Sequence, residues 1–518
     1  MRVKWLAIFA LTVGISACSE SEKAVCVPSC EGRECGLDGC GGTCGACDIL
    51  GTRCEAGRCE FVGCDCDLAT CDAGCAVCMP TCGGRECGSD GCGGTCGACD
   101  DGVCSEATGQ CLSYVVRGQL SIEKPTVIFN AYQLPKFDGV TEVPAAGVPL
   151  SLRNVGGVEI ASTTVQSDGS FEMTLHRLPQ SSDWISIVPA WRVNDKLKVA
   201  VLRTDSEGYR YWNWHLSLSH YQTPDDPGNL GHIRITQEQD SGAIFLYQTL
   251  VDAYQWLFKN QIFMHLGTLP SMAVIWTPGK RWSCGTCVSE NPTRVGSQTL
   301  DTTMFIGGED ESESSWGYPT VLHEFGHYVL ERRRDDNMGG AHTMTSASTP
   351  TLAWSEGWAT FYALMMMSLE AQSPVSQYWR ILGNGSYWID YAKLDQQAGF
   401  GSIWVPRPTP TPGMKQDLSE AWVTYMLWDF FDGLDVDDPD PDPIALGSAK
   451  MISAISSDRY RYLERFDEGR SVSGTDFVDY LEALVCDLNR RGDETTAQSL
   501  MDFVEHRDFP YDRAPECP

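Results

Sequence analysis

A chain of 518 residues exceeds one ordinary domain, and usual domain sizes point to about three. Its formal net charge of −31 argues against nucleic acid as a partner, because phosphates would be repelled. The same charge suits a protein kept soluble at a surface.

In chain order, Met1 to Ala17 carries a basic start (Arg2, Lys4), an apolar run from Trp5 to Ile15 and small residues before Cys18. That is the layout of an export signal, and the run is too short to persist as a membrane span. Ile15-Ser16-Ala17-Cys18 resembles a bacterial lipobox. The resemblance implies removal of residues 1–17, lipid on the Cys18 thiol and an extracytoplasmic chain anchored to a membrane or cell surface. An ordinary secretory signal is the rival reading. No later segment is continuously apolar over about 18 residues, so the rest is expected to be soluble.

The 25 cysteines become an even 24 once Cys18 is set aside, which suits full disulfide pairing in an oxidising compartment. Most lie in residues 18–112. There "CVPSCEGRECGLDGCGGTCGAC" from Cys26 returns as "CMPTCGGRECGSDGCGGTCGAC" from Cys78, with identical gaps. Rich in Gly and poor in large apolar residues, neither copy can bury a core, so cross-links must hold it. Zinc knuckles are the rival, but the region has no histidine. The pairing is not readable from spacing. The expected role is a stalk or binding module, or a spacer above the lipid.

Residues 113–235 change to short alternating runs, among them "YVVRGQLSI", "GVPLSLRN", "DWISIVPAWRV" and "KLKVAVLRT", with Asp168-Gly169 as a hairpin turn signal. They predict an antiparallel β-sandwich. "GVPLSLRN…TTVQSDGSFEMTL" resembles the transthyretin-like, carboxypeptidase-regulatory sandwich, a fold that by itself assigns no chemistry.

Residues 236–518 turn helical, in "GAIFLYQTLVDAYQWLFKNQ", the segment around His323, "PTLAWSEGWATFYALMMMSLE", "DLSEAWVTYMLWDFFDGL" and "GTDFVDYLEALVCDLNRRG". Two strand-like runs, "SMAVIW" and "TTMFIGG", come before His323. Cys284-Gly-Thr-Cys287 between them reads as a structural disulfide, and Cys486 with Cys517 as a staple for the tail. The run Asp435 to Pro443 reads as an acidic surface loop.

Chemistry concentrates in "VLHEFGHYVL". Residues four apart share a helix face, so His323 and His327 can offer imidazole nitrogens to one ion, with Glu324 beside it as a general base rather than a ligand. The surrounding Val321, Leu322, Phe325, Gly326, Tyr328 and Val329 are uncharged, and polar side chains in so apolar a helix need a partner such as a metal. A catalytic zinc wants a third protein ligand. Glu356, the acidic residue among Trp354, Trp358, Phe361 and Tyr362, is the preferred one. His342, Asp335, Asp336 and Glu331 are rivals in more polar sequence.

"HEFGH" followed by "WSEGWATF" resembles the gluzincin class of zinc peptidases, which includes thermolysin-like enzymes, and "SEAWVTYMLWDFFDGL" is similar to the later active-site helix of fungalysin-type members. The match of motif order spans roughly residues 242–433. It implies a mixed α/β, mostly helical zincin domain, Zn2+ on His323, His327 and Glu356, Glu324 as base, and a protein or peptide substrate. It also implies that Thr302 to Gly308 is the edge strand that pairs with an extended substrate. Thr360 stands where the class usually has an aspartate, and Gln416 where fungalysin-type members have a histidine oxyanion donor. Tyr425, Tyr391 and Tyr387 are candidate replacements. The fold class expected is therefore multidomain, with disulfide-rich repeats, a β-sandwich and a zincin domain. The function expected is a lipid-anchored zinc endopeptidase, the alternative a non-catalytic surface binding or adhesion lipoprotein with a structural or degenerate zinc site.

Overall fold

The computed structural model describes residues 27–47, 52–61, 80–99, 104–130, 134–221, 226, 228–259, 270–308, 314–334, 342–382, 385–392, 418–433, 444–457, 460, 474–506 and 517. Cys18, Asp335, Asp336, Gln416 and the acidic run 435–443 lie outside them. The chain divides into two compact units, residues 1–112 and 113–518.

The first unit is held by cross-links, as its composition demands. In one repeat Cys30 bonds Cys44, Cys35 bonds Cys54 and Cys47 bonds Cys59. The other repeats this pattern with Cys82–Cys96, Cys87–Cys104 and Cys99–Cys111. Sulfurs spent in this way are not free to bind zinc.

In the second unit two four-stranded sheets come first. One runs Trp214–Ser217, Trp184–Ile187, Pro149–Arg153, Glu159–Thr164. The other centres on the long strand Tyr114–Phe129, which pairs with Asn229–Ile235, Pro135–Pro144 and Ser170–Leu175. Alternation along the strands sends Val116, Leu120, Leu150, Leu152, Ile185 and Ile187 into one shared core. The sheets are not wholly antiparallel, since Asn229–Ile235 runs parallel to Tyr114–Phe129.

The boundary expected at residue 235 crosses a third sheet. Its order is Gly208–Tyr211, Lys196–Asp205, Met272–Ile275, Thr302–Phe305, Cys287–Ser289, with Ala190–Val193 also on Lys196–Asp205. Three of its strands thus come from the segment assigned to the sandwich. The chain changes sheets at Val188-Pro189, where proline interrupts strand pairing and Ala190 starts a new partner set. Lys196–Asp205, Met272–Ile275 and Thr302–Phe305 are mutually parallel. All four residues of Met272–Ile275 are buried, as a parallel strand covered on both faces requires. The expected substrate-pairing strand, Thr302 to Gly308, is not an edge. Its Thr302–Phe305 portion is flanked by Met272–Ile275 on one side and antiparallel Cys287–Ser289 on the other.

Seven helices are described: α1 Gly242–Lys259, α2 Tyr318–Arg334, α3 Pro350–Ala371, α4 Glu420–Phe431, α5 Gly447–Ser456, α6 Phe477–Arg490 and α7 Glu494–His506. None is long and apolar enough to cross a membrane. Thr349 caps α3 by accepting the Leu352 N–H, with Pro350 in the first turn; Ser419 caps α4 by accepting from Trp422 N–H. Cys284 bonds Cys287, and Cys486 bonds Cys517.

Two glycines let the site helices approach closely. A methyl group on Gly326 of α2 would lie 2.8 Å from Ala359 Cα and 3.0 Å from its carbonyl oxygen on α3. One on Gly357 of α3 would lie 2.6 Å from Val423 Cβ and 2.9 Å from the Glu420 carbonyl on α4. Hydrogen bonds use this proximity: Trp358 Nε1–H donates to the Gly326 carbonyl at 3.2 Å, and Thr424 Oγ1–H to the Gly357 carbonyl at 3.0 Å. Alanine would gain about 1 kcal/mol of helix propensity. Overpacking against backbone atoms costs about 1–3 kcal/mol and wins. Gly326→Ala and Gly357→Ala are each expected to lower the denaturant midpoint of the chain, and unchanged midpoints would show that the helices can part freely.

Candidate active site

Helices α2 and α3 bring the expected ligands together. His323 Nε2 and His327 Nε2 are 3.2 Å apart, and they lie 3.2 and 3.3 Å from Glu356 Oε2. Ligands bonded to one tetrahedral zinc at about 2.0–2.1 Å stand about 3.3 Å from one another, so the donor set and its spacing fit that ion. One turn of α2 separates the two imidazoles, whose rings are nearly perpendicular at 88°. His323, Glu324 and Glu356 are buried.

Helix α3 also orients the rings. Thr360, at the aspartate position of the resembled class, places Oγ1 3.0 Å from His323 Nδ1. Ser355 Oγ lies 3.3 Å from His327 Nδ1. With each Nδ1–H donating to a hydroxyl oxygen, each Nε2 keeps its lone pair for an ion.

Sequence reasoning missed Arg380. It lies on the strand Gln377–Leu382, opposite Tyr387 of Gly385–Asp390 in an antiparallel hairpin. Both side chains are only partly buried. Arg380 interacts electrostatically with Tyr378, Tyr387 and Glu324, and its buried Nε has no hydrogen-bond partner among the described residues. A usable signal existed: Asn384-Gly385 between two alternating aromatic runs is a strong hairpin mark. Of the expected oxyanion donors, Tyr425 and Tyr391 are buried in the core. Tyr387 stands beside Arg380. His342, a rival ligand, lies with Nε2 3.4 Å from Glu356 Oε2.

Burial pushes the Glu324 carboxyl up to about 8, with Glu356 adding to the rise while His327 and Arg380 oppose it. Burial, then the charge of Glu356, raises Glu420 to about 8 as well. Burial lowers His323 to about 4. Burial alone would raise Glu356, but the charges and hydrogen bonds of His327 and His323 hold it well below the usual range. In the unfolded chain both Glu324 and Glu420 ionise near 4.5. Between pH 6.5 and 8 the folded metal-free chain therefore holds protons that the unfolded chain has lost, and stability falls as pH rises. In the folded chain His323 and Glu356 titrate below that window, and the unfolded His323, near 6.5, offsets the fall only slightly at its lower edge. A loss on the order of 3 kcal/mol is expected across it for the two groups together. Thermal unfolding of chelator-treated protein tests this: the midpoint should drop from pH 6.5 to 8, and a Glu324→Gln, Glu420→Gln double variant should flatten the slope.

No protein-family model matches the chain, and no curated protein aligns with it significantly. Among solved structures it is similar to the precursor of protealysin, a metalloproteinase from Serratia proteamaculans, at 12% identity and a TM-score of 0.26, over 61% of this chain and 89% of that one. So slight a likeness assigns neither fold nor chemistry.

Proposed function

We propose that this protein is a zinc-dependent endopeptidase, exported and lipid-anchored through Cys18, that hydrolyses peptide bonds of extracytoplasmic proteins. The observation that carries the reading is the convergence of His323, His327 and Glu356 at ligand spacing, with the carboxylate of Glu324 buried on the same helix. A purely structural metal site needs ligands but no base, and this disfavours the binding-protein alternative.

His323, His327 and Glu356 would hold Zn2+, which when bound supplies Lewis acidity toward a carbonyl and toward water. Glu324 takes the proton from the attacking water and passes it to the departing amine nitrogen. Thr360 and Ser355, in contact with the two Nδ1 atoms, would leave each Nε2 free to bind the ion. Arg380, with Tyr387, faces the charge that develops on the carbonyl oxygen. The outer strand Cys287–Ser289 offers its backbone to an extended peptide, a mode that tolerates many side chains.

Arg380→Ala is expected to lower kcat/KM by about 10²–10³ with metal content unchanged. Arg380→Lys should recover part of that loss, and a wild-type rate in the alanine variant would remove Arg380 from the chemistry. The reading itself is tested by incubating the full metal-loaded chain with an unfolded protein and identifying products by mass spectrometry. New peptide termini are expected. A metal-loaded chain that leaves every unfolded substrate intact would favour the binding protein.

A further inference from the structure

Glu356 belongs to a second set of ligand-type atoms. His342 Nε2 lies 3.4 Å from Glu356 Oε2 and 3.8 Å from Glu420 Oε2, and ligand atoms of the three residues lie within 4.8 Å of one another. These spacings approach those of the first set, and one imidazole with two carboxylates is a donor set that suits borderline divalent ions such as zinc.

The surrounding backbone holds the set in place. Ser348 N–H donates to the Leu418 carbonyl at 3.0 Å and Ala421 N–H to the Met344 carbonyl at 3.1 Å, so the loop bearing His342 is stitched to the start of α4 bearing Glu420. The side chain of Glu420 is 6% exposed, and its described ion-pair partner is His342 at 3.8 Å, beyond hydrogen-bond range, while the charges of His327 and Arg380 also act on it. A buried carboxylate is unfavourable unless it is neutralised or meets a cation. Glu324 and Glu356 stand in the same pocket and repel each other, and Glu356 also repels Glu420. One dication on the first set would leave the Glu420 carboxylate facing only charges it does not bond, Arg380 among them.

We propose that His342, Glu356 and Glu420 form a second divalent-cation site that shares Glu356 with the first, so that the loaded protein holds two ions. This rests on the zinc reading of His323, His327 and Glu356. In two-metal hydrolytic sites the ions stand about 3.5–4 Å apart, a separation that one shared carboxylate can span.

The test is zinc content of the full chain after chelation, reloading and removal of free zinc, measured for the parent, His342→Ala and Glu420→Gln, with folding checked by circular dichroism. Two equivalents in the parent and one in each folded variant are expected. One equivalent in the parent, whether or not the variants change it, would overturn the second site and leave the first standing. No zinc in the parent would overturn the first reading and this one with it. Should either variant fail to fold, cobalt-loaded parent decides: a spin-coupled pair in its paramagnetic resonance spectrum supports two neighbouring ions, and isolated Co2+ signals alone overturn them.

Discussion

Replacing Glu356 by alanine is expected to remove stoichiometric zinc and all chelator-sensitive cleavage. Its Oε2 atom lies within 3.4 Å of His323, His327 and His342, so one substitution takes a ligand from every metal-binding arrangement of the pocket. The two histidines that remain on α2 form an incomplete set for a catalytic zinc, which needs three protein ligands. An ion that binds only the folded chain stabilises it by roughly 4 kcal/mol at 1,000 times its Kd. That increment should raise the unfolding midpoint of the parent on zinc addition and vanish in Glu356→Ala. Without metal the variant need not be less stable, because removing a carboxylate from a buried acidic pocket also removes repulsion from Glu324 and Glu420. A variant that keeps full zinc content and its thermal increment would exclude Glu356 as a ligand.

Glu324→Gln should have the opposite signature, with metal retained and turnover lost. Glutamine is nearly isosteric with the neutral acid that burial favours in the metal-free chain below about pH 8, so packing between α2 and its neighbours survives. What it lacks is a lone pair basic enough to take a proton. General-base catalysis contributes about 10²–10⁴, and a group that both accepts and returns the proton belongs near the upper end, so a fall of about 10³ in kcat is expected. KM should change little, because Glu324 is proposed to act on water rather than to hold the peptide. Zinc content and unfolding midpoint at pH 6.5 are expected to match the parent. A variant with normal zinc and normal turnover would move the base elsewhere.

Much of this site was legible in the sequence because its logic is local. His323 and His327 share a helix face by their spacing alone, and Glu356 is conspicuous as a carboxylate inside an apolar helix. Helices α1 to α4 and α6 follow from apolar runs and their caps. What was not legible depends on contacts between distant segments. Strand periodicity tells which face of a strand is buried but not which sheet it joins, so Ala190–Val193, Lys196–Asp205 and Gly208–Tyr211 were assigned to the wrong neighbours. Cys287–Ser289 is too short to announce itself as the strand outside Thr302–Phe305. His342 sits in polar sequence and gains its significance only when residues 344 and 421 are bonded together. Thr360 departs from the aspartate of the resembled class, and only the folded chain brings its hydroxyl within 3.0 Å of His323 Nδ1.

The central claim, that this pocket is a zinc peptidase site, is tested most directly by one titration. The full chain is stripped with a chelator, the chelator is removed, and cleavage of an unfolded protein is followed as Zn2+ is added back. No cleavage by the stripped chain, and recovery that rises with bound zinc to a plateau, is the expected result. Cleavage that persists in the stripped chain, or a zinc-saturated chain that cleaves nothing, would contradict it.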